Sequence, residues 1–159
     1  MIINTNEILY KIQKTLKLSQ KDILTIYALE AYDIEETHVA KLLLRHQEED
    51  FVLCSYEELG VFLDALVTYK RGPSPKKAEN TAPIELSNNL ILKKLRIALE
   101  LKEAEIAIIL GLADITLSKQ QLSSLFRKEG HKNFKPCSDT LLMSFLEGLD
   151  EFYYEGKEV

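Results

Sequence analysis

Apolar residues recur along the chain with a helical period. Ile8, Leu9, Ile12 and Leu16 fall on the i, i+1, i+4, i+8 stripe of one helix face, and Ile91, Leu92, Leu95 and Leu99 repeat that stripe. A second helix is predicted after Ser19, where Asp22 completes a capping-box pattern, and it carries Ile23, Ile26 and Tyr27. A third carries Val39, Leu42 and Leu43. Its twin starts at Ser118 with Gln121 three residues on, runs to Lys128, and carries Leu122, Leu125 and Phe126. A fourth opens at Ser55 with Glu58 and presents Leu59, Phe62, Leu63, Leu66 and Tyr69. Its twin follows Ser138 with Leu142, Phe145, Leu146, Leu149 and Phe152. No stretch shows sustained strand alternation with β-branched enrichment. The pattern predicts an all-α chain of about eight helices.

These helices belong to a duplication. Displaced by 83 positions, the chain matches itself without a gap. Asn6 meets Asn89, Ile23 and Ile26 meet Ile106 and Ile109, and Leu42 meets Leu125. Phe51, Cys54 and Ser55 meet Phe134, Cys137 and Ser138, while Phe62, Leu63 and Leu66 meet Phe145, Leu146 and Leu149. Between the copies, residues 72–87 hold three of the four prolines and several lysines but few apolar side chains, and read as a linker. The expected organisation is a first repeat over 1–71, a Pro/Lys-rich linker over 72–87 and a second repeat over 88–159. A four-helix unit this short has a thin core, so packing against its twin or another chain is the natural remedy.

Composition narrows the class. At 159 residues, 46% hydrophobic and 28% charged, the chain is globular. A net charge of −5 excludes a generally basic protein that coats DNA. No run of about 18 apolar residues exists to span a bilayer. Two cysteines and a start without signal-peptide pattern point to a cytoplasmic location.

Candidate chemistry is sparse. Cys54 and Cys137 each sit between a matched Phe and a helix cap, which suits buried structural thiols. A reactive thiol is the alternative, because both precede a helix. His38, His46 and His131 have no histidine at the matching position, and no metal-ligand spacing occurs, so no metal or cofactor is expected. No nucleophile elbow or glycine-rich phosphate loop is present, and an enzyme is not expected. Gly111 reads as a helix terminator and Gly148 as a packing point inside a helix.

Charge is more informative. Residues 1–71 carry 8 basic and 12 acidic groups, whereas 88–159 carry 10 and 11. Within the second repeat, Lys93, Lys94 and Arg96 cluster at a helix start, and Arg127, Lys128, Lys132 and Lys135 face only Glu129 in a loop. These seven are the candidate contacts for a nucleic acid or an acidic partner. Ala107 and Gly111 ahead of the Ser118 helix also give this repeat a helix-turn-helix flavour. The corresponding loop of the first repeat is acidic, with Arg45 set against Glu48, Glu49 and Asp50.

Three stretches carry a resemblance: CSYEELGVFLDALVTYKRG at 54–72, SNNLILKKLRIALELKEAEI at 87–106, and LFRKEGHKNFKPCSDTLLMSFLEGL at 125–149. In these stretches and in its duplication the chain resembles the YehS-like family of bacterial duplicated domains of unknown function. It departs from that pattern at HQEEDFVLC, where a more basic stretch is usual. The resemblance implies a small bacterial cytoplasmic protein and carries no activity with it. The residues themselves suggest a non-catalytic protein-binding or regulatory helical module, whose repeats offer a groove to a partner helix or a second copy. The alternative is a helix-turn-helix-like protein that binds nucleic acid through the basic second repeat.

Overall fold

A computed structural model describes residues 4–43, 52–72 and 86–156, with side chains through Tyr154. The first repeat contains α1 (Thr5–Leu16), α2 (Gln20–Leu29), α3 (Glu36–Leu42) and α4 (Tyr56–Arg71). The second contains α5 (Asn88–Ala98), α6 (Glu103–Leu112), α7 (Lys119–Ser124) and α8 (Asp139–Gly156). The described residues form helices and connections without strands. The all-α duplication read from the sequence is the observed fold.

Local chemistry explains where these helices begin. Ser19, Ser55 and Ser118 each accept from the backbone N–H three residues on, and Asp22, Glu58 and Gln121 reach back to the cap N–H. Asn4 caps α1 through Glu7 N–H, Ser87 caps α5 through Leu90 N–H, and Ser138 accepts from Leu141 N–H. Each cap satisfies a donor that the helix itself leaves orphaned.

The duplication extends to backbone conformations that the residue types do not favour. Lys17 and Glu100 both end a first helix with φ near +54° and +53°, and Ala31 and Asp114 both follow a second helix at +53° and +62°. Leu18 N–H then bonds Gln13 O at 2.9 Å, and Leu101 N–H bonds Arg96 O at 3.0 Å. This is the six-to-one closure that turns a chain sharply out of a helix. A left-handed non-glycine residue costs about 1–2 kcal/mol, so the surrounding packing holds these turns. Gly111, expected as a terminator, instead lies inside α6, and Asp114 makes the left-handed turn.

The third helix of the second repeat is also shorter than expected. It stops at Ser124 rather than continuing to Lys128. Lys135 N–H bonds Ser124 O at 3.0 Å, and the Asn89 side chain bonds Leu125 O at 3.0 Å. A helix running on to Lys128 and beyond would have brought the amides of residues 128 and 129 to those carbonyls, which the returning loop and Asn89 occupy instead.

The two repeats pack through an exchange of helices. Helix α1 lies along α8, and α5 lies along α4, the reciprocal pairing that a two-fold relation between copies requires. Within each repeat, the second helix packs on the fourth, as α2 on α4 and α6 on α8. The first and fourth helices of one repeat touch only lightly. The apolar stripe of each first helix is therefore covered largely by the other copy. Ile8, Leu9, Ile12 and Ile91, Leu92, Leu95 are all buried in one hydrophobic cluster with Phe62 and Phe145. An ion pair between Lys94 and Asp64 links α5 to α4, and Thr15 Oγ1 donates to Asp150 Oδ1 at 3.0 Å between α1 and α8.

Candidate functional site

An asparagine at the start of each repeat, buried at Asn6 and half-buried at Asn89, positions the long connection between the third and fourth helices. Asn6 Nδ2 donates to Leu42 O at 3.0 Å and Val52 O at 2.8 Å, and its Oδ1 accepts from Cys54 N–H at 2.8 Å. Asn89 makes the matching set with Leu125 O, Lys135 O and Cys137 N–H at 3.0, 2.9 and 2.8 Å. One planar amide thus satisfies two carbonyls and one amide that no helix or sheet would satisfy. A neighbouring side chain adds a further bond in each copy: Thr5 Oγ1 donates to Cys54 O, and Asn88 Nδ2 to Cys137 O. In the second repeat this clamp draws residues 131–135 back along α7.

That return creates a basic cleft. It encloses about 560 Å³ between α7 and the loop, and is lined by Lys119, Gln120, Gln121, Ser123, Ser124, Arg127, Lys132, Asn133, Phe134 and Lys135. Among the described residues four cations line it, and no carboxylate does. Gln120, Gln121 and Asn133 add amides, and Phe134 adds a half-buried ring. A shallower recess of about 290 Å³ adjoins it through the shared residues Ser123 and Arg127. Arg96, Glu103, Leu122 and Phe126 complete that recess. Arg96 lies over the Phe126 ring with its guanidinium carbon 4.6 Å from the centroid. A positive concave surface on a chain of net charge −5 concentrates anions at one place.

The structure brings together only part of the basic set expected from sequence. Arg127, Lys132 and Lys135 share the cleft. Lys128 is exposed beside it without lining it. Lys94 is withdrawn from any such surface by its ion pair with Asp64 across the seam between repeats. Lys93 is exposed on α5, and Arg96 is taken up by Phe126 in the adjoining recess. Sequence reasoning missed Lys119, together with the three amides. The signal was available, since Lys119 directly follows the Ser118 cap, but only folding shows that this end of α7 faces the loop. Phe134, grouped with the structural pairs from sequence, lines the cleft, whereas Phe126 packs against the hydrophobic cluster. Phe51, the counterpart of Phe134, lies outside the described residues.

The matched thiols are buried and unpaired. Burial, reinforced by Glu58, pushes Cys54 up to about 12; burial, reinforced by Asp139, pushes Cys137 up to about 11. Both Sγ atoms approach the carbonyl of the following cap serine, Ser55 or Ser138, at 3.5 Å. Such thiols carry little thiolate at neutral pH and are poor nucleophiles. Of the histidines, His38 Nε2 meets Glu58 Oε2 at 2.6 Å, and His131 Nδ1 accepts from Asn133 N–H at 3.0 Å. His46 lies outside the described residues. Among the described residues no group of three or more His, Cys, Asp or Glu converges as metal ligands. The helix-turn-helix reading meets a geometric obstacle. Six residues, not a tight turn, separate α6 from α7, and α7 has only six residues, about 9 Å of helix. Among the described residues no helix is long and apolar enough to cross a membrane.

Comparison with known proteins agrees with the duplication. Residues 5–72 and 88–153 each match the family described as "Protein of unknown function (DUF1456)". The chain is also 34% identical over 145 residues to "Uncharacterized protein YehS" of Escherichia coli (strain K12), covering 91% of this chain and 93% of that protein. No solved structure matches it. Two family matches, one on each helical repeat, show that the chain belongs to the DUF1456 family.

Proposed function

We propose that this protein is a non-catalytic binding module that holds an anionic partner in the cleft of its second repeat. One observation carries the reading: Lys119, Arg127, Lys132 and Lys135 converge on a concave surface that no carboxylate lines among the described residues. Cations on an ordinary surface are interspersed with acids, and gathering four of them has a self-repulsion cost. An anionic ligand removes that cost. Among the described residues the cleft lining contains no thiol, imidazole or carboxylate to shuttle protons near neutral pH, which supports binding rather than catalysis. The two buried, unpaired thiols support a reducing cytoplasm as its setting.

The expected groove between repeats is not the site in this reading. The pairings of α1 with α8 and α4 with α5 occupy that seam, leaving a small cleft of about 220 Å³ beside Tyr10, Lys11 and Glu147. A partner protein is accordingly expected to dock through an acidic face on the second repeat. The test compares two triple variants of equal charge change in the full chain. Arg127, Lys132 and Lys135 become Ala in one; Lys70, Lys93 and Lys128 become Ala in the other. Retention on immobilised heparin or polyglutamate is expected to fall only for the cleft triple. Equal losses, or none, overturn the proposal.

A further inference from the structure

We infer that the anion held by this cleft is a single-stranded nucleic acid, with its phosphates on the four cations and a base against Phe134; this rests on the anion-binding reading above. Three features favour a nucleic-acid strand over an acidic peptide. The Gln121 carbonyl already accepts from Ser118 N–H, whereas Gln120 and Asn133 each offer a carbonyl acceptor beside an NH2 donor. That is the pairing that reads base edges, and carboxylate side chains have no use for its acceptor half. Phe134 places a half-buried aromatic ring in the wall of a charged cleft, the combination that lets successive bases stack while the backbone is neutralised. Arg127 joins this cleft to the recess where Arg96 lies over Phe126. Arg127 thus carries the basic surface to the edge of a second recess, which Glu103 also lines.

The geometry also selects a single strand over a duplex. A duplex is read by a helix or ribbon that protrudes into a groove. Here the cations line a recess, and α7 is too short to follow a major groove. A flexible strand enters such a recess and a rigid double helix does not. The rest of the acidic chain repels the strand and confines it to this site.

The experiment measures fluorescence anisotropy of the full-length protein against three labelled probes: a 12-nucleotide single strand of mixed sequence, its duplex, and a dodecameric glutamate peptide. The single strand is expected to bind most tightly. With four phosphate contacts, log K falls with log salt at a slope of about −2.8, roughly 50-fold between about 50 and about 200 mM. Lys132→Ala should lower that slope by about 0.7. Phe134→Leu should weaken the strand about 5-fold or more with its slope unchanged, and Phe134→Tyr should restore binding. Circular dichroism of both Phe134 variants confirms that they fold. Duplex or peptide binding as tight as the strand, or indifference to Phe134→Leu in a folded variant, overturns the inference. Peptide binding without strand binding sinks the inference and leaves the anion-binding reading standing. If no probe binds at about 50 mM salt, both fall.

Discussion

The asparagine clamp makes a quantitative demand on stability. Asn6 is only 4% exposed and makes three hydrogen bonds, two of them to carbonyls and one from Cys54 N–H. Truncating it to alanine removes three bonds worth about 1 kcal/mol each. It also strands a buried amide donor at a cost of about 1–3 kcal/mol. Asn6→Ala should therefore destabilise the protein by about 4–6 kcal/mol. Asn89 makes the same three bonds from a half-buried position that water can reach. Asn89→Ala should cost only about 1–2 kcal/mol. For a chain of this size each kcal/mol lowers the melting temperature by about 2–4 °C. Thermal unfolding followed by circular dichroism should thus place Asn6→Ala roughly 15 °C below the parent and Asn89→Ala roughly 5 °C below. Urea titration with an unchanged m-value confirms that the native state is what changed. Two results refute the reasoning. A loss below about 0.5 kcal/mol for Asn6→Ala denies the clamp its role. An equal loss at the two sites denies that burial sets the cost.

Three further predictions test the packing. A Cβ on Gly148 would lie 2.0 Å from the Ile109 carbonyl oxygen, so Gly148→Ala should cost about 1–3 kcal/mol or more by overpacking despite alanine's better helix propensity. Unchanged or raised stability in urea rejects the close approach of α6 to α8. The raised thiols at Cys54 and Cys137 should resist alkylation at pH 8 until the protein unfolds, and labelling as fast as a free thiol contradicts their burial. The sign of the linkage follows from the same shifts. The folded thiols hold their protons more tightly than the unfolded chain, so their contribution is full below about pH 9. It is lost as pH rises toward about 11 for Cys137 and about 12 for Cys54. Finally, a fragment of residues 86–159 should aggregate or unfold, because it uncovers the face of α5 that α4 covers in the whole chain. Exposing three large aliphatic side chains costs roughly 5–9 kcal/mol, comparable to a whole domain's stability. A monodisperse fragment as stable as the full chain disproves the helix exchange.

The helices and their starts were legible because both signals are local. A capping serine and its partner sit three residues apart, and an apolar stripe is visible within three turns. The end of α7 was not legible. It is set by Lys135 and Asn89, which lie far along the chain and take the carbonyls that the helix would have used. The pairing of α1 with α8 was hidden for a different reason. An apolar stripe covered by its own repeat reads the same as one covered by the other copy. The Asn6 and Asn89 match was visible as an identity, but its purpose needed Leu42, Val52 and Cys54 brought to one place. The cleft was half legible. Arg127, Lys132 and Lys135 stand close in sequence, whereas Lys119 joins them only through the returning loop.

What the two repeats share, and what they do not, limits how the protein can work. Shared positions satisfy the backbone: the asparagine clamp, the Ser55 and Ser138 caps, and left-handed turns kept even where Lys17 corresponds to Glu100 and Ala31 to Asp114. These positions are constrained in both copies because an orphaned buried amide or an opened turn is costly wherever it occurs. The cleft residues are under no such constraint. Lys119, Arg127, Lys132 and Lys135 correspond to Glu36, Leu44, Glu49 and Val52 in the first repeat, so no matching set of cations exists there. An anion that binds the second repeat therefore meets repulsion at the corresponding place on the first. A pseudo-symmetric scaffold with an asymmetric charge pattern cannot treat its halves alike. On the anion-binding reading each chain takes one anionic partner, and the first repeat serves to complete the core on which the second is built.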